Sequence, residues 1–223
     1  MRLPRFLWDA KSREYFDKTT VHVEASCLPE QVGLSSESLL SLSGAPAKSE
    51  VSATMIGECV QIVVVNDDLL VHPFQIDLIP VKGGSWDIKP HYLRIVPGKR
   101  RSGLGGRMFA CTALAASRLR FRQVFADALH SDAALGSHET LAGIHASLAL
   151  GYDAAITDEM RESMPSLLRR AVTMQDVLAS DSGISWWKSN PQSLRVYFDL
   201  KAGSNSMQRL RSYMKSRSIR IAQ

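Results

Sequence analysis

The stretch Ile95–Phe109, IVPGKRRSGLGGRMF, constrains this chain more than any other part of it. An apolar run enters a Pro-Gly turn, passes a basic cluster, crosses three glycines in four residues and continues with helix-like apolar character. That order predicts a strand, a tight turn and a helix in immediate succession, the unit of an α/β fold. The first amides of a helix lack intrahelical partners, and the helix dipole places partial positive charge beside them, so such a turn readily seats an anion. Glycine removes the Cβ that would hold a phosphate off the backbone. Lys99, Arg100, Arg101 and Arg107 add cationic donors, so the expected ligand is anionic.

Spacing separates three kinds of phosphate-binding loop. A P-loop requires G-x-x-x-x-G-K-[ST]; Gly98 and Gly103 fit, but Leu104 and Gly105 stand where Lys and Ser/Thr belong. A dinucleotide fingerprint G-x-G-x-x-G would run Gly103, Gly105 and then Met108 in place of the third glycine, and it fails too. The pattern [QR]-x-x-G-x-[GA] is filled by Arg100-Arg101-Ser102-Gly103-Leu104-Gly105.

With the flanking LRIVPGKRRSGLGGRMFACTALAASRL, this stretch resembles the acyl-CoA pyrophosphate loop of the GNAT acyltransferase superfamily. A second likeness lies downstream. Where that family often carries Y-x-x-L-G-F, this chain has Ser147-Leu148-Ala149-Leu150-Gly151-Tyr152. Together the two cover about Trp86–Ile156, roughly a third of the chain. The resemblance implies an α/β fold with a mixed, mostly antiparallel central sheet flanked by helices, here with additional C-terminal helices. It implies acetyl-CoA or another acyl-CoA as co-substrate. Ile95 and Val96 would then pair with the pantetheine amides where adjacent strands splay apart. The pyrophosphate would lie on the amides of Arg101, Ser102, Gly103, Leu104, Gly105 and Gly106, with Arg100 and Arg101 as charge partners. The acceptor would be a small amine, an amino acid or a protein amino group.

Direct transfer to an amine needs an unprotonated nucleophile, a polarised thioester carbonyl and a proton donor for the departing thiolate. Many relatives use the Tyr of Y-x-x-L-G-F as that donor, and Ser147 occupies its place here. Ser147 acting through water and His145 two residues away are the candidates. For the base, His91 lies on the strand approaching the loop, and an unperturbed imidazole titrates near neutrality; Asp87 is the alternative on the same segment. His138 and Glu139 suit the start of a helix with Ser137 as N-cap. Their H-E-T-L-A-G-I-H spacing is not that of a zinc-binding helix, and no metal is expected. Trp186 and Trp187 suit either the wall of an apolar acceptor pocket or one core and one interface position.

Composition sets the outer bounds. The 223 residues, 45% of them apolar, suffice for one domain with its own core, taken as residues 20–200 with a helical N-terminal extension and a basic C-terminal helix. Cys27, Cys59 and Cys111 are far apart and odd in number, which speaks for reduced thiols. No apolar run approaches the roughly 20 residues of a membrane span, and a cytoplasmic protein is expected. The net charge of +5 is matched by the basic residues Arg209, Arg211, Lys215, Arg217 and Arg220 in a tail free of acids. That tail reads as a solvated helix face, without the aromatic interleaving of a nucleic-acid module. A homodimer is left open.

Along the chain, the pattern predicts a short helix within residues 1–20, an edge strand at Thr20–Cys27, and a short helix and loop over Leu34–Glu50. Strands are expected at Val51–Val65, Leu69–Val81, Trp86–Val96 and Val124–Leu129, with a helix at Gly103–Phe121. Further helices are expected at Ser137–Leu150, Met160–Leu178 and Ser204–Ser216, with a strand at Gln192–Leu200. Two other readings compete with the transferase: a weak or inactive module that binds acyl-CoA or a protein, and an acyltransferase that takes its acyl group from a carrier-protein thioester.

Overall fold

The computed structural model describes residues 9–16, 21–25, 33–128, 146–190 and 192–219. Helix α1 (Ala10–Tyr15) precedes strand β1 (His22–Ala25) and helix α2 (Ser36–Ser43). Four strands follow: β2 (Glu50–Ile56), β3 (Cys59–Val65), β4 (Phe74–Val81) and β5 (Ser85–Pro90). A 3-10 turn at Pro97–Lys99 leads into α3 (Leu104–Arg118), then β6 (Gln123–Ala128). Beyond a helical turn at 146–150 come α4 (Asp158–Ser163), α5 (Met174–Val177), α6 (Asp181–Ser189), β7 (Leu194–Asp199) and α7 (Asn205–Ser216).

The seven strands form one mixed sheet in the order β1 to β7. The pairs β1–β2 and β5–β6 are parallel and the other four antiparallel, so the sheet is mostly antiparallel and helix-flanked, as expected. β1 is an edge strand, also as expected. The period-2 pattern explains why these segments are strands: Val60, Ile62 and Val64 of β3 and Ile76 and Leu78 of β4 are fully buried while their neighbours are not. The opposite face carries a transverse polar row. Gln61 donates to Asp77 (3.2 Å), Asp77 lies opposite Lys89 in register, and Lys89 (2.9 Å) and Arg195 (2.7 Å) both hold Asp127. Arg195, and after it Lys89, keep the Asp127 carboxyl below the usual carboxylate range.

Several predicted elements divide more finely than the sequence pattern suggests. Val51–Val65 is a hairpin, not one strand: Ile56 pairs with Cys59 across Gly57-Glu58. Gly57 has φ +60 and Glu58 does not share the positive φ, the arrangement of a type II′ turn. Leu69–Val81 becomes regular strand only at Phe74. Met160–Leu178 is broken, because Pro165 stops α4 and opens a 3-10 turn before α5 begins on the capping box of Thr173 and Asp176. Most of the expected Ser137–Leu150 helix, with Ser137, His138 and Glu139, lies outside the described residues, as does Cys27; Cys59 is a free thiol. Trp186 and Trp187 are both buried in α6, and Trp186 donates to the Ser163 carbonyl at 3.2 Å, so neither faces an open pocket. No helix among the described residues is long and apolar enough to cross a membrane.

Candidate functional site

The site begins where the two central parallel strands part. β5 and β6 share only the pairs Asp87–Gln123 and Ile88–Val124. Beyond them β5 stays with β4 as far as Pro90, and β6 stays with β7 as far as Ala128. The gap opens toward the C-terminal ends of both strands, the end from which the chain enters the glycine loop. Lys89 spans it on the polar face by reaching Asp127.

Past β5 the chain stays extended along the β3–β4 connection. The Val71 amide donates to the Arg94 carbonyl (2.8 Å) and the Val96 amide to the Leu69 carbonyl (3.0 Å). Those two bonds flank the Leu70–Ile95 bridge, so the N–H and C=O of Ile95 point away from Leu70. Of the two residues expected to offer backbone groups, Ile95 keeps its N–H without a described partner and Val96 does not. The Val96 amide is engaged with Leu69 and its carbonyl with the Lys99 amide (2.9 Å). Arg100 is turned back as well, its Nε donating to the Ile95 carbonyl at 3.2 Å.

The loop itself is built by two left-handed residues, Arg101 (φ +61) and Gly103 (φ +82). Gly103 is the N-cap of α3 and supplies no side-chain cap. Ser102 supplies one, its Oγ accepting from the Leu104 amide at 3.3 Å. Among the described residues the Gly105 and Gly106 amides have no partner, and the first helical bond is Arg107 to the Gly103 carbonyl (3.1 Å).

The three glycines make room chiefly for the protein itself. A Cβ on Gly103 would lie 2.6 Å from Nη1 of Arg107, one on Gly105 would touch Ile95 and Leu93, and one on Gly106 would lie 2.6 Å from the Tyr213 hydroxyl. Arg107, expected among the cationic donors to the ligand, is instead buried. Its Nε donates to Ser12 Oγ (2.8 Å), its Nη2 to Asp9 (2.8 Å) and its Nη1 to the Ser102 carbonyl (3.3 Å). It clamps α1 to the loop.

A cavity of about 520 Å³ opens over this loop. Ile95, Arg101, Ser102, Gly103, Leu104, Gly105 and Gly106 line it; Val96 and Arg100 do not. Lys11, Arg107, Tyr213 and Arg217 complete the wall, and among the described residues no carboxylate takes part; of these, Lys11, Tyr213 and Arg217 were not expected at the site. Sequence reasoning missed these three. Tyr213 and Arg217 stand four apart, on one face of α7, and the acid-free tail was the available signal, discounted as a solvated face. Lys11 carried no signal, because only folding brings α1 to the loop.

The remaining predicted residues lie elsewhere. His91 and Ser147 do not line the cavity. His91 is exposed at the start of the extended segment, with Nε2 2.7 Å from Asp77 Oδ2. Asp87 is buried, bidentate with Arg122 through Nε (2.8 Å) and Nη2, and accepts from Gln123 (2.9 Å). That network ties the start of β6 to β5 and leaves Asp87 engaged. Ser147 is half-buried in the helical turn at 146–150, and His145 lies outside the described residues. Tyr152, at the end of the same motif, is buried against Phe109 and Phe198, and burial pushes its phenol far above the ordinary range, so it stays protonated. A second cavity of about 450 Å³ lies by the N-terminal end of β6, but Arg122 in its wall is paired with Asp87, and Asp153 accepts the Ala154 and Gln175 amides. Comparison with protein-family models and with curated protein sequences finds no match for this chain.

Proposed function

We propose that this protein is an acyl-CoA-dependent N-acyltransferase of the GNAT type, transferring acetyl from acetyl-CoA to an amine by direct attack in a ternary complex. The observation that carries this reading is the joining of parting parallel strands to a cavity lined, among the described residues, by cations and no carboxylate, over the Gly105 and Gly106 amides, which have no described partner. The pyrophosphate sits on those amides, where the α3 dipole and Arg101 offset its charge. The pantetheine arm runs from the loop along Ile95, whose N–H faces outward, into the gap between β5 and β6.

In the transfer, the amine lone pair attacks the thioester carbonyl carbon, the C–S bond breaks, the thiolate takes up a proton and the new amide nitrogen releases one. His91 is the proposed base, and Asp77 at 2.7 Å orients its imidazole. Ser147 and His145 are the proposed proton donors to the thiolate. A small amine, an amino acid or a protein amino group serves as acceptor. A second reading, a binding module with little or no turnover, is favoured by one observation: Ser147 stands where a tyrosine would serve as acid.

Calorimetric titration with CoA and acetyl-CoA at moderate salt tests the cofactor assignment; saturable one-to-one binding is expected, and no binding overturns it. Arg101→Gly refines the test. Glycine relieves the left-handed strain and removes a charge-assisted contact, so CoA affinity should fall about tenfold while stability holds or rises by up to ~1 kcal/mol. Unchanged affinity would remove Arg101 from the phosphate seat. For the base, His91→Ala should lower acetyl transfer by about 10²-fold or more with CoA affinity intact. Wild-type rates across pH would clear His91 of that role.

A further inference from the structure

Resting on that reading of the loop, we propose that the C-terminal helix makes this site specific for a free CoA nucleotide, with Arg217 and Lys11 seating its phosphomonoester. A pyrophosphate calls for one seat, and the loop amides with Arg101 provide it. The cavity has more cationic capacity than that. Lys11 enters from α1 and Arg217 from the C-terminal end of α7, elements far apart in sequence, and neither forms an ion pair with a described residue.

Arg107, the fourth lining cation, is paired with Asp9. That leaves Lys11, Arg101 and Arg217 around one cavity with no ion-pair partner and no wall carboxylate among the described residues. Three uncompensated cations in one concave surface repel one another, and a multiply charged anion relieves that repulsion. Arg217 lies over its neighbour one turn back, its guanidinium carbon 5.9 Å from the centre of the Tyr213 ring. The Tyr213 hydroxyl, which has no described partner, reaches the loop at Gly106.

The charge count discriminates between donors. A phosphopantetheine arm on a carrier protein presents one phosphodiester charge, whereas free CoA presents a pyrophosphate and a phosphomonoester carrying about −1.5 to −2 by itself. A carrier-borne arm would leave Lys11 and Arg217 without a counter-ion, and its protein would have to fit where α1 and α7 flank the loop.

The test is calorimetry with CoA, dephospho-CoA and 4′-phosphopantetheine on the full chain and on Arg217→Gln, Lys11→Gln and Arg101→Gly. The wild-type protein should bind CoA at least tenfold more tightly than dephospho-CoA. Arg217→Gln and Lys11→Gln should each narrow that gap severalfold while barely changing dephospho-CoA affinity, whereas Arg101→Gly should weaken both nucleotides alike. Equal wild-type affinity for CoA and dephospho-CoA, or parallel loss of both in Arg217→Gln, would overturn the assignment and leave the loop reading standing. Failure to bind any of the three would bring down the loop reading and this inference together.

Discussion

Arg107→Leu is expected to destabilise the protein by about 3 kcal/mol, read as a lower denaturation midpoint at unchanged m-value. The guanidinium is 4% exposed and makes three donor contacts, so its loss removes the charge partner of Asp9 and a donor each from the Ser12 hydroxyl and the Ser102 carbonyl, while the Ser12–Asp9 bonds remain. Leucine restores apolar volume, which directs the loss to the polar network and not to a cavity. The pH dependence provides the check. Burial would raise the Asp9 pKa, but hydrogen bonds from the Ser12 hydroxyl and amide and from Arg107 outweigh it, and the net shift is downward. A carboxyl depressed in the folded state contributes stability that is present above its unfolded pKa and lost as pH falls through the folded value. The gap between wild type and Arg107→Leu should therefore be full at neutral pH and narrow as pH falls below about 4 through the depressed Asp9 value, leaving the part that comes from the bonds to Ser12 and Ser102. A gap independent of pH would mean that packing, not the ion pair, holds the clamp. CoA affinity should fall with stability, because the same side chain positions the Ser102 carbonyl and the left-handed turn at Gly103.

Gly44→Ala is expected to cost about 3–4 kcal/mol. Gly44 ends α2 with φ +59, and a Cβ there would press on the Met108 carbonyl oxygen and lie 2.8 Å from Thr112 Oγ1. Both contacts belong to α3, so this is the point where α2 fixes the helix that carries the loop. Gly57→Ala separates the two contributions. Gly57 also has a positive φ, +60, with nothing within 4 Å of a Cβ, so its alanine variant should lose only the conformational part, about 1–2 kcal/mol. Equal losses at the two positions would show that Gly44 is a turn residue and not a packing contact.

Much of the architecture was legible because burial imposes a period. The alternation in β3 and β4 and the apolar stripe of α3 are local signals, and each element stands near its expected place. Capping chemistry is local too: Ser204 starts α7 and Gly151, with φ +106, ends the turn at 146–150. Where the sequence pattern misled, a short-range backbone requirement interrupted an apolar run. Gly57 turned one long strand into a hairpin, and Pro165 broke one helix into α4 and α5.

The candidate site divides along the same line. The sequence by itself determined that a glycine turn would lead directly into a helix at residues 103–118, because glycine spacing and apolar period act through neighbouring bonds; the strand expected over Trp86–Val96 is regular only as far as Pro90, beyond which the chain is extended with a single bridge at Ile95. Only the tertiary structure decided which cations remain available there. Arg100 is turned onto the Ile95 carbonyl and Arg107 buried against Asp9, while Lys11 and Arg217 arrive from elements nearly the whole chain apart. A side chain's role as clamp or ligand depends on which distant groups fold against it, and no local pattern records that.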